Sequence, residues 1–145
     1  MPLIERAADL LRPYVDAIAL VGRERHGWLC LADRPRTGLG PLAGIAAALH
    51  YAADSGNDHV LTIGCDMPRL PDGLLETLID AGSAYCRQAP ILGCWPVSLA
   101  SHLDIHLEND ARRSVRGWAE RVGATVIDAG MPLANVNTPA DLATL

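Results

Sequence analysis

Phenylalanine is missing from this 145-residue chain altogether, and tryptophan and tyrosine contribute only three residues each. A core without phenylalanine must be filled by small and aliphatic side chains, and alanine and leucine dominate the apolar half of the composition. That profile suits an α/β domain in which helices approach a sheet closely. No apolar run reaches the roughly 18–20 residues that span a bilayer. The first residues, MPLIERAADLL, carry acidic side chains and lack the basic-then-apolar order of a signal peptide. No basic stripe interrupts a net charge of −5, which argues against a nucleic-acid groove. Cys30, Cys65, Cys86 and Cys94 are widely separated, with no CxxC pair and no histidine at zinc spacing. They read as reduced, structural thiols of a cytoplasmic protein. Repeats, linkers and low-complexity tracts are absent too, and the length fits one domain with one core.

What is present alternates between strand and helix. Pro2 suits a first helical turn, and Leu3, Ala7, Leu10, Leu11 and Tyr14 mark an apolar face before Pro13 ends it. Residues 17–21 form a short buried strand closed by Gly22, and 28–32 another that ends at Asp33. A glycine-rich turn opens a helix over 41–53, and 59–65 is the clearest strand. Asp72 is expected to cap a helix over 73–81. Further strands are expected near 84–87, 91–97 and 124–128. A helical region at 98–121 breaks around Asn109-Asp110, and a last helix starts at Asp141. This order implies a mostly parallel sheet with helices on both faces.

In such sheets ligands gather beyond the carboxyl ends of the strands. Asp33 and Asp66 both fall there. Two carboxylates on one rim can hold Mg²⁺, which takes one or two of them plus substrate phosphates and water. The competing readings are an Asx-turn for Asp66 and a loop ion pair with Arg34 or Arg36 for Asp33. The turn TGLGPLAGIAAAL, residues 37–49, adds glycines at 38 and 40 and a proline at the first helical position. Gly44 and Ala46-Ala47-Ala48 let that helix approach its neighbour closely. Exposed N–H groups at its start suit an anionic ligand, though glycine spacing alone reads better as a tight turn without one. Arg112, Arg113 and Arg116 in ARRSVRGW can reach phosphate or form a solvated basic face.

Together, DRPRTGLGPLAGIAAAL, VLTIGCDMPRLP, RRSVRGW and ANVNTPADL stand in the order found in the molybdenum cofactor guanylyltransferases. The chain resembles these MobA-like nucleotidyltransferases from Pro2 to its last residue. The resemblance implies a Rossmann-like α/β fold of the nucleotide-diphospho-sugar-transferase type. It implies transfer of GMP from GTP to the terminal phosphate of the molybdopterin cofactor, with release of pyrophosphate. It implies Mg²⁺ as cofactor, held with GTP by Asp66, the catalytic aspartate of the CD-P motif. It places Asp33, with Gly40, Pro41 and Leu42 of the GPLAG turn, on the nucleotide, and Asn135, Asn137 and Arg113 on the acceptor side. GTP and molybdopterin are then the substrates, and molybdoenzymes or other cofactor-biosynthesis proteins the partners.

The resemblance also implies a departure. Relatives of this kind open with a strand and the loop LAGGxSxRMGxxK, whose backbone amides, arginine and lysine hold the triphosphate. Neither is in this sequence, and Met1–Glu5 aligns with the segment that follows the loop, where relatives read GKPLIE. Residues 1–145 are therefore expected to be a single MobA-like domain without its first strand, which in this fold lies inside the sheet. Relatives often end the next strand in Ser-Ala-Asn, with the asparagine on the nucleotide, where this chain has Val21-Gly22-Arg23. Three readings follow. One is a guanylyltransferase that has lost its N-terminus, and another a catalytically inactive relative that binds a partner or the pterin. The third is a related nucleotidyltransferase with another nucleotide or acceptor. The retention of Asp33, GPLAG, Asp66 and Asn135-Val136-Asn137 favours the first, with the 145-residue chain itself weakly active or inactive.

Overall fold

The computed structural model describes residues 3–21, 25–34, 40–64, 67, 69–109 and 114–133. Helix α1, Leu3–Leu11, buries Ile4, Ala7, Ala8 and Leu11 on one face. Pro13 does not end the coil at once, because a proline is tolerated in a first turn and Arg12–Tyr14 forms a 3-10 turn. Tyr14 leaves the apolar face expected for it. It is exposed, and its hydroxyl donates to the carboxylate of Glu76.

Strands β1, Ala19–Val21, and β2, Leu29–Leu31, pair in parallel with Ala19 opposite Leu29. Helix α2, Pro41–Asp54, follows, then β3, His59–Thr62, and α3, Leu74–Ala81. The cap of α3 is Gly73, in the left-handed region at φ 82°, with no side-chain cap bond. Asp72, expected as the cap, stands one residue too early, because a left-handed cap conformation favours glycine. Strands β4, Ala84–Cys86, and β5, Ala89–Pro96, come next, then helices α4, Ala100–Asn109, and α5, Val115–Arg121, and strand β6, Thr125–Ile127. Ser114 caps α5 by accepting from the Gly117 amide at 3.0 Å. The helix expected from Asp141 lies outside the described residues.

The second sheet has the order β3-β5-β4-β6. The α/β class with flanking helices holds, but the sheet is mixed rather than mostly parallel. β5 runs antiparallel to both β3 and β4, while β4 and β6 are parallel. The reason is the connection. Only Arg87 and Gln88 separate β4 from β5, and a parallel crossover needs a dozen or more residues. Helix α2 starts beside the carboxyl ends of β1 and β2 and ends where β3 begins. β1, β2 and β3 therefore point the same way, and their carboxyl ends share one rim with those of β4 and β6.

Both faces of the larger sheet are covered. Tyr85 and Trp95 face a core built with Leu42, Leu49, Leu103 and Trp118 from α2, α4 and α5. Their neighbours Ala84, Cys86 and Cys94 face the other way, toward Leu74, Leu75 and Leu78 of α3. This is the period-2 alternation of a strand buried on both sides. Gly93 makes room for the Trp95 indole, since a Cβ there would lie 2.6 Å from the ring. The indole N–H donates to the Thr62 hydroxyl at 2.9 Å, and that hydroxyl donates to the Ile91 carbonyl at 2.6 Å. Trp118 tilts against Trp95 with ring centroids 5.1 Å apart.

Two consequences can be measured. Thr62→Val keeps the shape but strips the fully buried indole N–H of its acceptor, so stability should fall by about 1–3 kcal/mol. The urea midpoint should drop with an unchanged slope, and an unmoved midpoint would refute the pairing. Gly44 sits where an added Cβ would come 2.9 Å from Val21 Cγ1. Gly44→Ala should therefore cost about 1–3 kcal/mol by crowding. With Val21→Ala also present, the helix-propensity gain of roughly 1 kcal/mol should take over. Simple additivity of the two substitutions would show that no crowding exists.

Candidate functional site

Asp33 stands two residues beyond β2, half-buried at the rim. Gly40, at φ 78°, adopts a conformation that side chains disfavour, and Pro41 then opens α2. The Arg34 amide donates to the Ala43 carbonyl at 3.1 Å, which ties the residue after Asp33 to the first turn of the helix. A Cβ on Gly44 would lie 3.8 Å from Asp33 Oδ1. That is ordinary contact distance, so the carboxylate sits against the first turn of the helix, whose N-terminal end carries partial positive charge. An anionic ligand entering there also meets the charge of Asp33, so a cation between the two would relieve the repulsion. Leu42 has a different place from its neighbours. Its side chain is wholly buried in the core, which leaves its backbone as the part able to meet a ligand.

Asp33, Gly40, Pro41 and Gly44 line one end of a cavity of about 780 Å³ that also runs past Val21 and Ile63. Its long walls are the facing edges of β1 and β3. Among the described residues, β1 is paired with β2 and β3 with β5, and neither has a ladder partner on the side toward the cavity. Of the expected nucleotide residues, Asp33, Gly40 and Pro41 therefore border a slot between two sheets. Asp66, Asn135, Asn137, Arg112 and Arg113 lie outside the described residues. On either side of Cys65-Asp66 the backbone is tied, with the Met67 amide on the Gly64 carbonyl at 3.3 Å and the Met67 side chain buried. No group of three His, Cys, Asp or Glu side chains suited to a metal occurs among the described residues. Nor is any helix among them long and apolar enough to cross a membrane.

Arg116 does not reach into this cavity. Its Nη2 donates to the Arg87 carbonyl at 2.7 Å, so it braces backbone. The same rim holds a cluster that sequence reasoning missed. Asp128, one residue beyond β6, accepts from the Gly130 amide at 2.7 Å, Gln88 Nε2 at 2.6 Å and Arg87 Nη2 at 2.7 Å. These donors, the Gly130 amide first, hold its carboxyl below the ordinary carboxylate value. The charged form is thus the favoured one in the folded chain. Its contribution is complete above the ordinary pKa and is lost as pH falls through the lowered one. An aspartate two residues before a glycine signals a local turn, but nothing in the sequence links it to residues 40 positions away.

The comparisons with known proteins agree with this architecture. The model of the MobA-like NTP transferase domain matches residues 1–125. A molybdenum cofactor guanylyltransferase of Rhodobacter capsulatus is 36% identical over 99% of this chain and 80% of its own length. Among solved structures, a protein of Aquifex aeolicus VF5 superposes with a TM-score of 0.75 at 14% identity, covering 94% of this chain and 79% of that one. Molybdopterin-guanine dinucleotide biosynthesis protein A of Archaeoglobus fulgidus gives 0.67 at 22% identity, covering 98% and 82%. At such identities the two structures establish the fold. The domain match and the relative's identity along nearly the whole sequence establish more: this chain belongs to the MobA-like NTP transferase family.

Proposed function

We propose that this protein is a cytoplasmic molybdenum cofactor guanylyltransferase, moving GMP from GTP to the terminal phosphate of molybdopterin and releasing pyrophosphate. The observation that carries the reading is the 36% identity to an enzyme of that name over 99% of the chain. The placement of Asp33 against the start of α2, at the mouth of the slot, supports it. The unpaired Cys30, Cys86 and Cys94 fit a reducing compartment.

The residues divide the work. Gly40 and Pro41 present the helix start, and Asp33 orients the nucleotide beside it. Asp66 is the catalytic carboxylate and the Mg²⁺ ligand, and Asn135, Asn137 and Arg113 hold the acceptor. The donor set fits Mg²⁺, since a hard ion takes one or two carboxylates and completes its shell with phosphate and water. Bound there, it neutralises the charge that develops on the phosphoryl oxygens. A general base is not required, because the acceptor phosphate is already ionised near neutral pH.

The slot bears on activity. Among the described residues the two facing strand edges have no ladder partners along the slot, and the family's N-terminal strand and loop would fill that space. A Mg²⁺–carboxylate contact by itself would be weak, because the ion gives up its waters reluctantly. Residues 1–145 taken alone are expected to bind GTP more weakly than the same residues joined to that strand and loop.

Calorimetry separates these cases. Adding the family's N-terminal strand and loop should raise both GTP–Mg²⁺ affinity and the melting temperature. Equal affinity in the short and extended chains would overturn the account of the slot. In the extended form, Asp66→Asn should abolish transfer at an unchanged melting temperature, and retained turnover would remove Asp66 from the mechanism. Asp33→Ala should act on KM for GTP, raising it roughly tenfold, as loss of a charged hydrogen bond does. An unchanged KM would take Asp33 off the nucleotide.

A further inference from the structure

The four residues that α1 buries, Ile4, Ala7, Ala8 and Leu11, all line the slot between β1 and β3. Of these only Leu11 also joins a core, packing with Leu74, Leu75 and Leu78 of α3. Ile4, Ala7 and Ala8 belong to neither core among the described residues, so what their burial covers is the slot. Helix α2 lines the same cavity with Gly44, Ile45, Ala48 and Ala52, and its core lies on the other face of the larger sheet from that of α3. Along most of its length α1 therefore rests over the slot and outside both cores.

The two ends of this helix are held differently. At the C-terminal end Leu11 sits in the α3 core, Val15 and Ile18 pack against that core, and the Tyr14 hydroxyl donates to Glu76 of α3. At the N-terminal end the polar contact among the described residues is Glu5 with Arg25, Nη2 to Oε1, at 3.4 Å. That is longer than the usual range of about 2.7–3.2 Å. Both side chains are more than a third exposed, so water and salt weaken the pair further. Arg25 lies over the Trp28 ring at 5.7 Å, just ahead of β2, and so belongs to the small-sheet side. Glu76 belongs to the large-sheet side. One end thus has the features of a hinge, through the 3-10 turn Arg12–Tyr14 and the stretch before Ala19, and the other those of a latch.

We infer that α1 is a hinged cover on the slot, swinging on residues 12–18 and latched by the Glu5–Arg25 pair. Opening bares the facing edges of β1 and β3 along their length, so an apolar guest enters from the side instead of threading in from the rim. A segment latched by one exposed ion pair belongs to the low end of the stabilities that local opening spans. The cover concerns the cavity alone and does not depend on the proposed transfer reaction.

The test is amide exchange of the 145-residue chain, alongside the rate at which it takes up Nile red, a neutral dye that brightens in apolar surroundings. Residues 7–11 should exchange about tenfold or more faster than α2, with a smaller denaturant dependence than global unfolding shows. Arg25→Glu should speed both that exchange and dye uptake about fivefold, the most that one exposed ion pair supplies, at a nearly unchanged melting temperature. Glu5→Gln should act in the same direction from the other side of the latch. Combining Glu5→Arg with Arg25→Glu restores the pair with its signs reversed, and both rates should return close to wild type. Exchange in α1 as slow as in α2, with the same denaturant dependence, overturns the cover. Rates that Arg25→Glu leaves unmoved, or raises without recovery in the reversed pair, overturn the latch and the proposal with it. GTP and transfer enter none of these readouts, so failure here leaves the proposed function standing.

Discussion

The approach of α2 to β1 at Gly44 joins what would otherwise be two separate sheets. β1 and β2 are three residues each and share no ladder with the larger sheet among the described residues. A two-stranded ribbon is marginal in water on its own. It is held because α2 packs against β1 and β2 as well as against β3 and the helices beyond. That demands a helix apolar nearly all round, and α2 buries Leu42, Ala43, Ile45, Ala46, Ala47, Leu49 and Ala52. A larger residue at 44 would push the ribbon away, and Asp33 with it. Site geometry and domain integrity thus depend on the same missing methyl group.

The slot and the core make opposite demands on β3, which lies at the edge of the larger sheet. Toward β5 its partners are satisfied, with Val60 opposite Trp95 and Leu61 opposite Cys94. Its Thr62 anchors the indole that organises the core of α2, α4 and α5. Toward β1 the same strand has no ladder partner among the described residues, along the cavity. β3 is therefore fixed by one neighbour and exposed on its other side, and Thr62 stands next to the rim where chemistry is proposed. Rigidity reaches the rim from the tryptophan side.

Much of this was legible because the relevant physics is local. Gly40 followed by Pro41 and an apolar run announces the start of α2, and the crowding at Gly44 was foreseen from its small neighbours. Strand positions came from short apolar runs bounded by polar residues. The direction of β5 was not legible, because Arg87-Gln88 carries none of the Gly, Asn or Asp residues that mark a hairpin. The Gly73 cap was misassigned to Asp72 because the side-chain rule and the left-handed rule favour adjacent residues. His106, buried on α4 with the Arg121 guanidinium 3.2 Å from its Nδ1, gave no signal at all. Contacts of that kind depend on which helices meet, and no local pattern encodes it. Leu42 shows the converse limit: a motif residue can belong to a binding turn while its side chain belongs to the core.

The strand order also sets a scale for the rim. Going from β3 through β5 and β4 to β6 takes three ladder steps, about 14 Å at the usual strand spacing. On the proposed function, Asp66 follows β3 and the acceptor segment follows β6, with Asp33 on the far side of the slot. Because β5 runs against its neighbours, the β4–β5 turn lies on this same rim, which is why Arg87 and Gln88 can reach Asp128. The reversal that the sequence concealed is thus what brings this turn against the residue that follows β6.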